Sequence, residues 1–408
     1  MIYNILDFGA AANSVNVNTE SIQKAINECA KNGGGEVVIP SGVFMTGSIE
    51  LLSNVTLKLE NGAVLKGTGR TEDFPTNGFY HNEMHDTTSI IWARDKENIA
   101  IKGEGTIDIN SPEFYPENYG KGYGVRPYEE LTDEQREDFI FDKNNDRINQ
   151  PIFFESCKNI SVTGVRIINS TCWTVVFSRS SYIRVSGVTI DNSLVVQNDD
   201  GIHFSSCTDA IVSDCNISCA DDCIAMTCIT ARDGMNERIT ISNRVFRSKS
   251  AAVRIGHSTK DVTISNIIIY DPNRGIGIFT GNKTIIKNVT INNVMLTTRI
   301  FTASWWGKGE AVMICGAADG SAIENINISN LSGTCQNGIA VYGNNNNVKN
   351  VRLSNIDLGV SKCDDFDVFC GCIDMRPYAF ENDLKEPFLI YTKDTEEPKL
   401  SNVSVYRI

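Results

Sequence analysis

A chain of 408 residues, 41% apolar and 21% charged, carries enough core-forming material for one large or two ordinary domains. Its net charge of −13, with no dense Lys/Arg stretch, argues against nucleic acid as the main partner. No apolar run is long enough to span a membrane, so no membrane partner is expected.

The chain opens with Met1-Ile2-Tyr3-Asn4-Ile5-Leu6-Asp7, which lacks the basic and apolar regions of a secretory leader. There are thirteen cysteines, odd in number and scattered, and a chain of this size does not require a disulfide framework. They read as buried free thiols, and the expected location is the cytoplasm, or the outside of the cell if a leader precedes this sequence. Thr19 to Lys31 places Ile22, Ala25, Ile26, Cys29 and Ala30 on one stripe, the pattern of an amphipathic helix. Asn32-Gly33-Gly34-Gly35 stops it. Residues 1–45 therefore read as an N-terminal cap. Residues 111–147 are charged and aromatic, with a helix-like stretch from Tyr128 to Phe141, and read as a long loop or flap.

From about residue 155 a phrase recurs. Ile160-Ser-Val-Thr-Gly-Val-Arg-Ile167 is followed by Ile183-Arg-Val-Ser-Gly-Val-Thr-Ile190, and later by Val262-Thr-Ile-Ser-Asn-Ile-Ile-Ile269 and Val289-Thr-Ile-Asn-Asn-Val-Met-Leu296. Equivalent last residues fall at 167, 190, 217, 246, 269 and 296. Alternating apolar residues predict short strands with one buried face. The recurring Ser-Asn or Asn-Asn pair suits a bend, because Asn tolerates left-handed backbone angles. A repeat of this length built from strands is a solenoid signature, whereas a propeller blade is longer. The expected fold is all-β: one right-handed parallel β-helix over 1–408, capped by the N-terminal helix. No linker divides the chain, and the sequence fixes no oligomeric state.

Two acidic clusters lie one coil apart: Asn198-Asp199-Asp200-Gly201 and Ala220-Asp221-Asp222-Cys223. Stacked coils bring their carboxylates into one patch, and clustered carboxylates repel, so at least one should keep a proton near neutral pH. A proton donor beside an ionised base is what glycosidic bond cleavage requires. Asp199 is expected as an exposed neighbour. His203 and Arg254 alternate with core-facing residues and should point outward on the acidic face. No metal site and no cofactor are called for, and the expected partner is an oligo- or polysaccharide substrate.

These features resemble glycoside hydrolase family 28, the polygalacturonases and relatives, which share a pectin lyase-like right-handed parallel β-helix. The resemblance runs from Tyr3-Asn-Ile-Leu-Asp-Phe-Gly-Ala10 through Gly33-Gly-Gly-Glu-Val-Val-Ile-Pro40, Gly103-Glu-Gly-Thr-Ile-Asp108 and Asn169-Ser-Thr-Cys-Trp173 to the acidic motifs. The family's Asn-Thr-Asp falls on Asn198-Asp199-Asp200, with Asp199 in place of Thr. Its Gly/Gln-Asp-Asp falls on Ala220-Asp221-Asp222. The resemblance implies an inverting hydrolase in which Asp221 is the general acid and Asp200 and Asp222 hold the attacking water. Asn198 would shape the turn that aims Asp200 and, secondarily, contact the substrate.

Two family motifs are missing. Ala251 stands where the family's Gly-His-Gly has His, and Gly277 and Phe279 stand where its Arg-Ile-Lys has Arg and Lys. Those basic residues bind the galacturonate carboxylate in the family. Arg254, His257 and Arg274 are the nearby residues that could substitute, with His203, as substrate contacts. The expected substrate is pectic (galacturonan- or rhamnogalacturonan-related), cut from chain ends. A hydrolase of a neutral polysaccharide, a polysaccharide lyase and a non-catalytic carbohydrate-binding β-helix remain as alternatives.

Overall fold

Each repeat phrase pairs with the next in parallel register. Ile167, Ile190, Ile217, Phe246, Ile269 and Leu296 are successive partners along one column, as their spacing predicts. The structure, a computed structural model, describes all residues except 14, 82–84, 116–127, 134–135, 137–145, 229–233, 302–306 and 364–385. Most of the 111–147 segment therefore lies outside the described residues.

The pairings form two long sheets of parallel strands wound into one coil, with an antiparallel pair at Tyr80–His81 and His85–Asp86. This is a parallel β-helix, and its crossovers take the right-handed sense of parallel strand connections. Apolar columns fill its inside: Ile160, Ile183, Ala210, Ile239, Val262, Val289, Ile326 and Val351 stack from coil to coil, all buried. Each fully buried Ile or Val contributes about 1.5–3 kcal/mol, which is how so many short strands hold together. Phe154, Phe177 and Phe204 add a ring stack with centroids 5.4 and 5.5 Å apart.

Asparagines mark the bends. Asn243, Asn266, Asn293, Asn330 and Asn355 all adopt positive φ, between 52 and 57°. Their side chains form a ladder outside the coil: Asn293 donates to Asn266 at 2.8 Å and Asn355 to Asn330 at 3.2 Å. The backbone pairing continues through these bends, so Asn236–Ser248 and Thr259–Tyr270 are single long strands.

The helix Thr19–Lys31 covers the N-terminal end with Ile22, Ala25, Ile26 and Cys29. It also protects a strand edge. Gln23 donates to the Glu50 carbonyl at 3.0 Å and accepts the Glu50 N–H at 2.8 Å, closing the edge of the strand Ile49–Glu50. The glycine run that ends the helix is sterically required: a Cβ on Gly34 would lie 2.3 Å from the Asn54 carbonyl.

The second sheet runs in eleven parallel strands from Ile49–Glu50 to Ile390–Lys393 and carries the acidic motifs. Both faces of its central strands are covered. All four residues of Ile202–Ser205 and all four of Ile224–Thr227 are buried, so alternation here does not mean solvent on one side. All eleven cysteines among the described residues are free thiols, and ten are buried.

Candidate active site

The two acidic turns sit one above the other because the strands after them pair in register, Ile202 with Ile224. Gly201 donates its N–H to the Asp222 carbonyl at 2.9 Å. No larger residue fits at 201, since a Cβ there would lie 2.5 Å from both the Cys223 carbonyl and the Ile217 side chain. This close stacking brings one carboxylate oxygen from each of Asp200, Asp221 and Asp222 within 4.8 Å of the other two. All three residues are buried.

Burial is the largest cause of proton retention at each carboxyl. It raises Asp200 well above the usual carboxylate range, with further repulsion from Asp221 and Asp222. Burial and then Asp222 push Asp221 up to about 7. Asp222 is raised by burial and pulled back by Arg254 and by hydrogen bonds from its neighbours. The cluster therefore holds at least one proton at neutral pH, next to a group that can accept one. The same three oxygens could chelate a hard cation. The Arg254 guanidinium, 3.7 Å from Asp222, already supplies positive charge there.

Supporting side chains fix each carboxylate. Asp222 Oδ1 accepts from the Ala251 N–H at 3.1 Å and from the Ser250 hydroxyl at 3.2 Å. Asp221 Oδ1 accepts the Asp222 N–H at 2.9 Å, and its Oδ2 accepts the Asn198 amide at 3.3 Å. Asn198 thus reaches Asp221, not only the turn before Asp200. Asn198 itself adopts a left-handed φ of 62°.

His203 differs from expectation. It is fully buried, stacked under Trp173 with centroids 3.8 Å apart. Its Nδ1 lies 3.2 Å from Asp200 and its Nε2 2.7 Å from the Thr227 hydroxyl. It supports Asp200 from behind and is not open to a substrate. Asp199 is likewise not exposed. Its side chain turns inward and Oδ1 accepts the N–H groups of Ala220 and Asp221, at 2.6 and 3.1 Å. The reason is the stacking itself, which leaves the N–H groups of the second turn in need of a buried acceptor.

Of the proposed carboxylate-binding residues, Arg254 faces the cluster, with a fifth of its side chain exposed. Arg274 is buried and paired with Glu310 at 3.1 Å, so it is committed to the protein rather than to a ligand. His257 accepts the Cys228 N–H on Nδ1 at 3.1 Å. Gly277 and Phe279 share one space. A Cβ at 277 would lie 2.4 Å from the Phe279 ring and 3.0 Å from Arg274, and the Arg274 guanidinium sits 5.1 Å over that ring. Phe279 is 6% exposed and packs with Met313, Cys315 and Tyr342, so it offers no open apolar platform.

Sequence reasoning missed Arg147, Trp173, Thr227 and Ser250 as parts of this site. Trp173 and Ser250 lie in stretches aligned with the family but carry no chemistry of their own there. Arg147 closes the 111–147 segment, and nothing local distinguishes it from a surface charge.

The comparisons agree with this architecture. A family model described as Glycosyl hydrolases family 28 matches residues 29–372. A probable polygalacturonase of Vitis vinifera is 26% identical over 321 residues, covering 72% of this chain and 60% of the relative. An exo-poly-alpha-D-galacturonosidase of Dickeya chrysanthemi is 25% identical over 311 residues, covering 67% of this chain and 51% of the relative. The chain thus spans only about half to 60% of these relatives' length. An endo-polygalacturonase of Pectobacterium carotovorum is 28% identical over 298 residues, covering 68% of this chain and 69% of the relative. Among solved structures, a hyperthermoactive exopolygalacturonase from Thermotoga maritima superposes with a TM-score of 0.66 at 19% identity, covering 88% of this chain and 87% of that one. Because the family match covers residues 29–372, well over half of the chain, and contains both acidic turns, this chain belongs to glycosyl hydrolase family 28.

Proposed function

We propose that the protein hydrolyses glycosidic bonds of a pectic-type oligo- or polysaccharide, with Asp221 as proton donor and Asp200 and Asp222 as the base pair for water. The observation that carries this reading is the buried trio of carboxyls, each with one oxygen within 4.8 Å of the others. In the reaction, Asp221 gives its proton to the bridging oxygen as the bond to the anomeric carbon breaks. A water held by Asp200 and Asp222 passes one proton to Asp222, whose ionised form Arg254 favours, as its oxygen joins that carbon. Membership of the family supports this assignment, and its polygalacturonase relatives support a pectic substrate.

The stereochemical outcome we propose is inversion. The spacing does not favour it by itself: inverting carboxyl pairs stand about 6.5–9.5 Å apart and retaining pairs about 5–5.5 Å. The presence of three carboxyls, two of which can hold a water while the third donates, supports a single displacement. We also propose exo action, for which the exo-acting relative of Dickeya chrysanthemi is the support. Unmodified polygalacturonan should be a poor substrate. Ala251, Gly277 and Phe279 replace the family's cations, and Arg274 is already paired.

The test is a screen of oligogalacturonates, rhamnose-containing and neutral oligosaccharides with product sizing and proton NMR of the first-formed anomer. Hydrolysis with inverted configuration and release of end units is expected. Unsaturated products would show a lyase, and sugar binding without turnover of any of these oligosaccharides would show a lectin-like β-helix.

A further inference from the structure

We propose that Arg147 is a positioning residue for the proton donor: through Asn198 it fixes the N–H group that Asp221 accepts. This rests on Asp221 being the donor, as proposed above.

Arg147 is 5% exposed and lies at the end of the 111–147 segment, not in either acidic motif. Its Nη1 donates to the Tyr115 hydroxyl at 2.8 Å and to the carbonyls of Thr171 at 3.1 Å and Gln197 at 2.7 Å. Its Nη2 donates to Asn198 Oδ1 at 3.2 Å. Tyr115 also donates to the Thr171 carbonyl, at 3.1 Å. Both feet of the segment therefore meet under the first acidic turn, joined by one buried guanidinium.

The consequence follows from donor chemistry. A guanidinium has no acceptor, so only the oxygen of the Asn198 amide can face it. The amide NH₂ must then face the other way, and there it meets Asp221 Oδ2 at 3.3 Å. An amide free to flip would spend part of its time with its oxygen against the Asp221 carboxylate, which is repulsive when that group is ionised. Arg147 removes this freedom. It also holds the Gln197 carbonyl, one residue from Asn198, and so limits the turn that carries both Asn198 and Asp200.

The sign of the expected effect is fixed. A hydrogen bond donated to a carboxylate stabilises its ionised form. Loss of the Asn198 donor should raise the Asp221 proton affinity, moving the alkaline limb of kcat/KM to higher pH. A residue that only braced the fold would lower stability without moving this limb.

The experiment uses the full chain with the pectic oligosaccharide that the parent turns over best. Arg147→Gln should lower kcat about tenfold or more, the scale of one charge-assisted hydrogen bond, with KM nearly unchanged and the limb shifted up. Asn198→Ala should reproduce the shift, and adding Arg147→Gln to it should add nothing further. If Arg147→Gln does not fold, Arg147→Lys decides. One ammonium cannot hold both the Gln197 carbonyl and the Asn198 amide in the same geometry, so the limb should move in the same direction by less. A folded Arg147 variant with the parent's kcat and limb overturns the proposal, as does an undiminished Arg147 effect in the Asn198→Ala background. Titration of Asp221 by carbon NMR in ¹³C-aspartate-labelled protein, assigned with Asp221→Asn, reads the same shift without turnover. Parent protein inert on every oligosaccharide would sink the hydrolase reading, whereas an unmoved Asp221 titration in Arg147→Gln would sink this one.

Discussion

Asp199 accepts the main-chain N–H of Asp221 at 3.1 Å, so the first acidic turn holds the second in place one coil away. The same oxygen accepts the Ala220 N–H at 2.6 Å, while the other oxygen has no hydrogen-bond partner among the described residues. Burial raises the Asp199 carboxyl well above its usual range, so the group fits this site neutral, as an acceptor rather than as a charge.

Replacing Asp199 should therefore reveal a need for an acceptor, not for a charge. Asp199→Asn keeps an oxygen that can take both N–H groups, and it should retain most turnover and stability. Asp199→Ala strands two buried donors at about 1–3 kcal/mol each and frees the backbone of Asp221. We expect a lower thermal midpoint and a fall in kcat of tenfold or more, measured side by side with the Asn variant. Equal losses in both variants would mean that the charge, not the acceptor, is what the site uses.

Asp221→Asn should remove about 10²–10⁴-fold of turnover while leaving the fold intact, the usual cost of losing a general acid. The pH dependence gives a second reading. Asp221 is held at about 7 by burial and then by Asp222, above its ordinary 3.8. The native state thus keeps a proton that the unfolded chain releases. The stability this provides is complete below about pH 3.8 and is lost as pH rises to about 7. The Asn variant should show a flatter fall of thermal midpoint across that window, and the parent's kcat/KM should decline above pH 7. An Asn variant with the parent's slope would place the titrating proton on Asp200 or Asp222.

The coil was legible in the sequence because its signal is repeated. The column from Ile167 to Leu296 could be aligned by spacing alone, and a strand phase error would have put every apolar residue outside. The helix Thr19–Lys31 was legible from its stripe and its glycine stop. The site was only partly so. Spacing placed Asp200, Asp221 and Asp222 together, but the orientations of Asp199 and His203 depend on which buried N–H or hydroxyl needs a partner, and that is settled between coils. Arg274 and Glu310 are 36 residues apart, and no local pattern announces their pairing.

Arg244 is an exception to the inward apolar columns. It pairs in register with Ile267, which pairs with Val294, and it is 3% exposed. Among the described residues none of its three side-chain nitrogens has a nitrogen or oxygen partner; the Cys215 thiol and the Asp214 carboxylate lie near enough to favour its charge, but burial outweighs them and lowers its pKa. A buried charge with no carboxylate in hydrogen-bond contact is costly, and even a buried ion pair is replaced by apolar residues of similar volume at no loss or with a gain of about 1–4 kcal/mol. Arg244→Ile should raise the thermal midpoint and the denaturant midpoint with no change in kcat. A fall in stability would show that the guanidinium has a partner in solution, such as an anion.

The last prediction concerns the missing cations. Gly277 and Phe279 occupy the places where the family holds Arg and Lys, and they are mutually dependent. The Phe279 ring lies over Gly277, so that a Cβ at 277 meets it at 2.4 Å, and Arg274 crowds the same space, its Cδ 3.0 Å from such a Cβ and its guanidinium 5.1 Å from the ring centroid. Gly277→Arg alone should therefore destabilise the protein by overpacking, by about 1–3 kcal/mol, and gain no activity on oligogalacturonate. Phe279→Lys alone empties the space and leaves a void beside Met313 and Cys315, so it too should lose stability. The double variant Gly277→Arg/Phe279→Lys removes the ring that blocks the new side chain. It should raise kcat/KM on oligogalacturonate relative to neutral oligosaccharides by roughly 10–150-fold per contact formed, the equivalent of about 1.5–3 kcal/mol for a charge-assisted hydrogen bond. The measurement is the ratio of kcat/KM on the two substrate classes across all four proteins. A single Gly277→Arg variant that gains the activity by itself would show that Phe279 swings away at little cost. A double variant with the parent's ratio would place carboxylate recognition elsewhere, with Arg254 the next residue to test.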